Sequence, residues 1–176
     1  MTTRISAIIF FIITLSITAW QTSTVQATDT ITSISIPVIG VNVPIYPLYI
    51  TEDAYGEVTW DTSELRMSAG HLTGLAWFGE QGNVAVGGHA TSPDGQPDVF
   101  YALPNLRVGD VIDVTTGGTV YRYQIISTSN VDRYDLSILS QTIGTEMLTL
   151  FTCDTGSGYQ NGDYGRRHVV QAVRIG

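Results

Sequence analysis

Short apolar runs, separated by turn residues, recur along most of the chain. In residues 34–38 and again in residues 41–46, apolar side chains alternate with polar residues or proline, which is the period-two pattern of a half-buried strand. In residues 120–126 the side chains of Tyr121, Tyr123 and Ile125 share one face. No long stretch has the period of an amphipathic helix. We count seven or eight short strands, which predict an all-β barrel or sandwich.

Turn residues place the connections between these strands. Gly117-Gly118 separates two apolar runs and predicts a two-residue hairpin. The prolines at 37, 44 and 47 predict edge strands or bends in the first part of the domain. Three short helical segments are also expected: one starting at Asp61–Glu64 and ending near Gly70, one over Asp98–Leu103 that Pro104 stops, and one over Asp135–Leu139.

The N-terminal segment has the pattern of a targeting sequence. Residues 5–20 form a charge-free, mostly apolar run after Arg4, as in a secretory signal or an N-terminal membrane anchor. Small residues at 25–27 suit cleavage after Ala27, and the run is slightly shorter than the ~20 residues that span a bilayer. We therefore expect a leader over residues 1–27, a linker over 28–30 and a domain over 31–176 that lies outside the cytoplasm, either anchored or secreted.

The charge of the chain excludes some partners. A net charge of −8 argues against a nucleic-acid partner and against a basic patch for anionic membranes. The acidic residues Glu52, Asp53, Glu57, Asp61 and Glu64 do not follow an EF-hand spacing. No cofactor is predicted, and a calcium ion at these carboxylates is the alternative.

Cys153 is the single cysteine, so it cannot form an internal disulfide. An unpaired thiol in an exported protein is buried, joined to another chain or kept for its reactivity. The strand over residues 147–153 is broken by Asp154 and a Gly-rich loop, which places the thiol at a strand end that a substrate can reach. Asp154 itself is interpreted as a turn former.

A reactive thiol needs a proton donor and a stabiliser for an oxyanion. The histidines are His71 in a predicted loop, His89 after a strand and two glycines, and His168 within the last strand. The residues alone do not choose among the three, and a lone histidine is more often structural. Arg166 and Arg167 are neighbours on a strand, so only one of them can share the face of Cys153.

Three motifs in order carry a family resemblance. Thr149-Leu150-Phe151-Thr152-Cys153 followed by Arg in the next strand resembles the Thr-Leu-x-Thr-Cys signature of the sortases, cysteine transpeptidases of bacterial surfaces. Residues 82–89, ending in Gly-His, and residues 99–110, ending in Gly-Asp, resemble two further motifs of that family. The resemblance covers residues 34–175 and implies a closed eight-stranded β-barrel with short helices in the connections.

The resemblance also implies roles for the candidate residues. Cys153 is the expected nucleophile, which cleaves a Leu-Pro-x-Thr-Gly-like sorting signal through a thioester, and His89 is the expected acid and base. Arg167, five residues before Ala172, is expected to bind the oxyanion or to position the substrate. A one-residue register shift would select Arg166 instead. Thr152 is either a hydrogen-bond donor to the substrate or to the sulfur, as the family suggests, or an ordinary β-branched strand residue.

The implied partners are surface proteins with a C-terminal sorting signal and an amine from the cell wall or from another protein. An uncleaved leader would add the membrane. The Asp-Pro lid sequence of many pilin-assembling sortases is absent and the sequence has no C-terminal anchor, which favours an open-site enzyme. Two alternatives stay open: a cysteine peptidase that hydrolyses the same thioester, and a secreted β-barrel binding module with an inert thiol.

Overall fold

The structure is a computed structural model that describes residues 31–52, 56, 58–160 and 162–176. The predicted leader and linker therefore lie outside the described residues. Within these residues the strands are β1 Ser33–Ile36, β2 Val41–Leu48, β3 Ile50–Glu52, β4 Val58–Trp60, β5 Ala69–Leu72, β6 Gly82–Gly87, β7 Val111–Thr116, β8 Thr119–Asp132, β9 Glu146–Cys153, β10 Tyr159–Gln160, β11 Asp163–Tyr164 and β12 Arg166–Arg174.

Eight of these strands close a barrel in the order β1-β2-β5-β6-β9-β12-β8-β7. The pairs β2–β5 and β6–β9 are parallel, and the other barrel pairs are antiparallel. Strands β3–β4 and β10–β11 form two separate two-stranded ribbons. The prediction of a closed eight-stranded β-barrel with short helices is confirmed. The helices in the described residues are all 3-10 helices: Pro37–Ile39, Leu103–Asn105, Leu136–Leu139 and Thr155–Ser157.

The core fills the barrel with side chains from alternate strand positions. Ile34 and Ile36 of β1 and Tyr123 and Ile125 of β8 are almost fully buried, as their period-two pattern predicts. Phe100, from the connection between β6 and β7, joins the same cluster. Burying each such side chain contributes about 1.5–3 kcal/mol, so the barrel is stabilised mainly by its interior.

The Gly117-Gly118 hairpin is confirmed. The two glycines join β7 to β8 with φ angles of 56° and 78°. Two consecutive positive φ angles are what a type I′ turn requires, and glycine adopts them without a steric penalty.

The predicted helix after Asp61 and the predicted stop at Pro104 are wrong. For the prolines, a bend is confirmed at Pro37, which starts the 3-10 helix Pro37–Ile39, whereas Pro44 and Pro47 do not lie in an edge strand. Residues 61–68 form turns, because Asp61 accepts a hydrogen bond from the Ser63 N–H at 3.0 Å and so stabilises a local turn. Pro104 lies at the start of a 3-10 helix, where its missing N–H costs nothing, and does not stop one. Strand β2, with Pro44 and Pro47, is paired on both sides, since a closed barrel has no edge.

The third predicted helical segment is present as the 3-10 helix Leu136–Leu139. Asp135 caps it by accepting a hydrogen bond from the Ser137 N–H. Across the described ranges, no helix has the length and apolar character that crossing a bilayer requires.

Candidate active site

Three neighbouring strands bring Cys153, His89 and Arg167 to one rim of the barrel. Strands β6 and β9 run parallel, so both end at this rim, β9 with Cys153 and β6 two residues before His89. Strand β12 runs antiparallel to β9 and places Arg167 directly opposite Cys153. His89 and Cys153, which are 64 positions apart in the sequence, thus line one cavity together with Arg167.

The backbone before His89 is packed too closely for any residue larger than glycine. A Cβ atom on Gly88 would lie 2.6 Å from Cδ2 of Phe100 and 2.7 Å from Cγ1 of Val99. The Gly88 N–H donates to the Phe151 carbonyl at 3.2 Å, which continues the β6–β9 ladder by one residue. The glycine therefore lets this segment run between β9 and the Val99-Phe100 loop before the chain reaches the histidine.

Thr152 holds the same segment from the other side. Its side chain is 2% exposed, and its hydroxyl donates to the Gly88 carbonyl at 2.8 Å. The hydroxyl hydrogen is thus used within the protein, although Thr152 also lines the cavity. This contact fixes the end of β9 against the residue that precedes His89.

His89 faces the cavity with its ring held by one backbone contact. Its Nε2 lies 3.2 Å from the Thr62 carbonyl oxygen. A carbonyl only accepts hydrogen bonds, so this contact places the hydrogen on Nε2. The Phe100 N–H donates to the His89 carbonyl at 3.0 Å and fixes its backbone.

Arg167 lies beside the thiol, and its guanidinium is hydrogen-bonded within the protein. Its Nη2 donates to Oδ2 of Asp163 at 2.6 Å, and its Nη1 donates to the Tyr164 carbonyl at 3.1 Å. The side chain is 21% exposed. Asp163 also approaches the thiol, since the Cys153 Sγ lies 3.8 Å from its Oδ1.

The pKa of the Cys153 thiol is raised above its ordinary value, and burial is the main cause. The positive charge of Arg167 lowers the pKa, while the charge of Asp163 and its hydrogen bond with the thiol raise it. The thiol is therefore mostly protonated at neutral pH in this arrangement.

Arg166 points away from the cavity. Its Nε and Nη2 both lie 3.0 Å from Oδ2 of Asp154, and its side chain is half exposed. Asp154 also accepts a hydrogen bond from the Gly156 N–H at the start of the 3-10 helix Thr155–Ser157, as a turn former would. The two arginines thus lie on opposite faces of β12, and Arg167 is the one beside Cys153.

The other two histidines are not brought to the thiol. His71 lies in β5 and is 3% exposed, so its predicted loop position is wrong. Its Nε2 contacts the Ala76 carbonyl, and its ring packs edge-on against Trp77 at 4.7 Å. His168 contacts Asn130 through Nδ1. Burial lowers the pKa of both imidazoles, as expected for packed, neutral rings.

The cavity has a volume of about 940 Å³. Polar residues in its lining include His89, Cys153, Asp163 and Arg167. Apolar residues in its lining include Leu48, Trp60, Leu65, Leu72, Ile138 and Phe151. A volume of this size accommodates several residues of an extended peptide or a drug-sized ligand.

Sequence reasoning missed Asp163 and Arg133. Asp163 lies in β11, within a segment interpreted as a Gly-rich loop, and Arg133 follows the end of β8. The Arg133 Nη1 lies 3.8 Å from Oδ2 of Asp163, so two arginines face one carboxylate beside the thiol. No local sequence pattern predicts that these two side chains are close, because their contact depends on the register of β8 against β12.

The described residues contain no group of three or more His, Cys, Asp or Glu side chains placed to hold a metal ion. Asp53 and Glu57, two members of the predicted calcium set, lie outside the described residues. The calcium alternative therefore stays a prediction.

Comparison with known proteins identifies the family to which this chain is similar. A model of the sortase domain matches residues 34–175. Sortase D of Bacillus subtilis (strain 168) is 26% identical over 115 residues, which is 65% of this chain and 54% of that protein. The chain thus spans about half the length of this curated relative.

Solved structures give the same result. A lid mutant of sortase A from Corynebacterium diphtheriae superposes with a TM-score of 0.66 at 28% identity, covering 83% of this chain and 70% of that one. The sortase D5 transpeptidase of Clostridium perfringens superposes with a TM-score of 0.62 at 26% identity, covering 83% and 79%.

Proposed function

The chain belongs to the sortase family, and on that premise we propose that it is a cysteine transpeptidase. In this proposal Cys153 attacks the Thr-Gly bond of a Leu-Pro-x-Thr-Gly-like sorting signal. The products are a thioester at Cys153 and a released fragment with glycine at its new N-terminus. An amine from the cell wall or from another protein then attacks the thioester and frees the thiol.

The observation that carries the proposal is the placement of Arg167 directly across from Cys153, with both residues in the lining of a large cavity. A carbonyl attacked by the thiolate develops negative charge on its oxygen within reach of a neighbouring cation. Donors placed where this charge develops lower the barrier by more than they stabilise bound substrate. Arg167 is therefore the proposed oxyanion partner, and Arg166, paired with Asp154, is not.

His89 is proposed to move the protons. It protonates the departing amine when the first tetrahedral intermediate collapses, and it deprotonates the incoming amine before the second attack. Its position at the end of β6, beside the end of β9, supports this role. Thr152 is proposed as a positioning residue, because its hydroxyl is bonded to the Gly88 carbonyl.

The family also supports a site of action outside the cytoplasm or at the membrane. We propose that the partners are surface proteins with a C-terminal sorting signal. Residues 1–27 would deliver the domain, either as a cleaved signal or as an anchor.

The test is the intact mass of residues 28–176, which contain the whole described barrel, after incubation with a panel of Leu-Pro-x-Thr-Gly-type peptides. We expect a mass increase equal to the acyl half of one peptide, and none in the Cys153→Ala variant. Adding an amine such as triglycine should then discharge the adduct as a transpeptidation product. Release of the free acid alone, at every amine concentration, would identify a peptidase instead.

The reading as a non-catalytic binding module makes a different prediction. An inert core thiol would be sealed from small reagents until the protein unfolds. Cys153 lines the cavity and is not fully buried. No peptide adduct, together with a thiol that resists alkylation in the folded state, would overturn the proposed function.

A further inference from the structure

We propose that Asp163 competes with the substrate for Arg167, and that Arg133 is the second cation to which its carboxylate moves when the substrate enters. This inference rests on the proposed function, because it assigns to Asp163 and Arg133 the control of the proposed oxyanion partner. Both residues are positioning residues, since they act through Arg167 and the thiol.

The Asp163 carboxylate contacts both the guanidinium of Arg167 and the thiol of Cys153. Its Oδ2 accepts from Arg167 Nη2 at 2.6 Å, and its Oδ1 lies 3.8 Å from the Cys153 sulfur. The carboxylate therefore stands between the guanidinium and the thiol, where the oxygen of an attacked carbonyl would need to be. The other guanidinium contacts, to the Tyr164 and Arg166 carbonyls, keep Arg167 in place while this edge is engaged.

The negative charge of Asp163 also acts on both of these groups. A carboxylate beside the guanidinium neutralises the charge that would stabilise both a thiolate and an oxyanion. Asp163 also opposes ionisation of the thiol directly, and both its charge and its hydrogen bond raise the pKa of Cys153. In the described conformation, the nucleophile and the oxyanion partner are thus weakened by one side chain.

Arg133 is an alternative partner for that carboxylate. The Arg133 Nη1 lies 3.8 Å from the same Oδ2 of Asp163. The Arg133 N–H donates to the Gly165 carbonyl at 3.2 Å, which fixes its backbone beside β12. Its guanidinium stacks on Tyr134 with 4.6 Å to the ring centroid. A small movement of the carboxylate therefore exchanges one arginine for the other without leaving it unpaired.

The exchange is feasible because the pair is reached by solvent. The Asp163 side chain is 36% exposed, and ion pairs of this kind are individually weak. A substrate carbonyl that binds Arg167 can displace the carboxylate, and Arg133 then stabilises the displaced position. The second arginine thus favours the state in which Arg167 is available.

The test measures two rates in the full chain and its variants: alkylation of Cys153 by iodoacetamide at pH 7.5, and formation of the acyl adduct at saturating peptide. We expect Asp163→Asn to increase the alkylation rate about threefold or more, because a lower thiol pKa gives more thiolate. Adduct formation should accelerate in parallel. Arg133→Gln should slow both rates, and this loss should shrink markedly in the Asp163→Asn background.

A matched pair of controls comes from the other side of the barrel. Asp113 and Arg122 form a bidentate ion pair between β7 and β8 and do not line the cavity. Asp113→Asn and Arg122→Gln make the same charge changes and break the same kind of pair, and we expect both to leave the two rates unchanged. Thermal melting of every variant verifies that the fold is retained.

The outcomes separate the two proposals. An Asp163→Asn thiol that alkylates no faster than the wild type or Asp113→Asn overturns the role of Asp163. If Arg133→Gln slows the two rates equally in the wild-type and Asp163→Asn backgrounds, the role of Arg133 is overturned. Absence of any acyl adduct in wild type and variants alike refutes the proposed function, while the alkylation rates still decide the effect of Asp163 on the thiol.

Discussion

At the scale of the residue, the chemistry of the site is set by the surroundings of one sulfur. Burial raises the pKa of the Cys153 thiol, and the nearby guanidinium of Arg167 lowers it. A higher pKa means that less thiolate is present at neutral pH, so reactivity should increase as the pH rises. The balance between burial and Arg167 is open to direct measurement.

We expect the alkylation rate of wild-type Cys153 to rise with pH through a midpoint above the value of about 8.5 of a free cysteine. Arg167→Gln should move this midpoint higher, because it removes the charge that favours the thiolate. Stopped-flow alkylation from about pH 6 to about pH 10.5, a range that brackets ordinary thiol pKa values, measures the midpoints of the wild type and of Arg167→Gln.

Arg166→Gln is the matched control for this prediction. Its guanidinium is paired with Asp154 on the opposite face of β12, so the midpoint should stay near that of the wild type. A wild-type midpoint below that of a free thiol, or equal shifts in the two arginine variants, would contradict the description of the site.

The sequence predicted some of these residues and not others, for physical reasons. Strand alternation shows that only one of Arg166 and Arg167 can face Cys153, and the family spacing favours Arg167. Asp163 was not predictable, since its partners depend on pairing across the barrel. A loop is predicted for His71 because it follows Gly70, and the strand is not recognised because all four residues of β5 are buried and show no alternation.

At the scale of the element, the end of β6 decides where His89 lies. The segment is held between Thr152 on one side and the Val99-Phe100 loop on the other. Phe100 is fully buried, so it has no room to move away. The position of the histidine therefore depends on the absence of a side chain at Gly88.

We expect Gly88→Ala to destabilise the protein by about 1–3 kcal/mol, because the added methyl group overpacks a buried contact. It should also slow acyl-adduct formation by displacing His89. Urea unfolding and the adduct rate are the measurements.

Gly165→Ala is the control, since a Cβ there would meet its nearest atom at 3.6 Å, an ordinary contact. We expect its stability to stay within about 0.5 kcal/mol of the wild type, as for most surface substitutions. Equal losses in the two variants would show that the close packing at Gly88 is not the cause.

The strands were more predictable than the short helices. A strand imposes its period over several residues, as in β1 and β8, and that period is readable. The segment after Asp61 carries a helix-like cap, yet its hydrogen bond stabilises a turn and the chain enters β5 at Ala69. Local capping residues do not distinguish a turn from a helix start when nothing apolar follows at helical spacing.

At the scale of the whole molecule, a second polar cluster ties the strands together near the start of β9. Glu146 accepts hydrogen bonds from Tyr123 of β8, from Arg174 of β12 at 2.8 Å and from the Gly79 N–H at 2.9 Å. Its side chain is 10% exposed. Burial, together with this carboxylate, raises the pKa of Tyr123 well above its ordinary value.

We expect Glu146→Ala to lower the free energy of unfolding by about 3–5 kcal/mol, because it leaves a buried hydroxyl and a largely buried guanidinium without their acceptor. Glu146→Gln should cost less, since an amide oxygen still accepts. Chemical unfolding measures the difference. In the fraction that stays folded, the alkylation rate of Cys153 should not change, and a slower rate there would contradict the separation of the two clusters.

The fold class followed from the number and length of the strands, whereas the order of the strands around the barrel did not. Two of the strand pairs in the barrel, β2–β5 and β6–β9, are parallel. Such pairs connect distant parts of the sequence, so no local pattern encodes them.

The placement of β12 between β8 and β9 has a consequence for how the protein matures. Cys153 precedes residues 166–174 in the chain, and until those residues pair, both neighbouring strands have an unpaired edge. Arg167 arrives with the same strand that joins them. The step that closes the barrel is therefore also the step that brings Arg167 to the thiol, so a chain in which β12 has not yet paired has the cysteine without its proposed oxyanion partner.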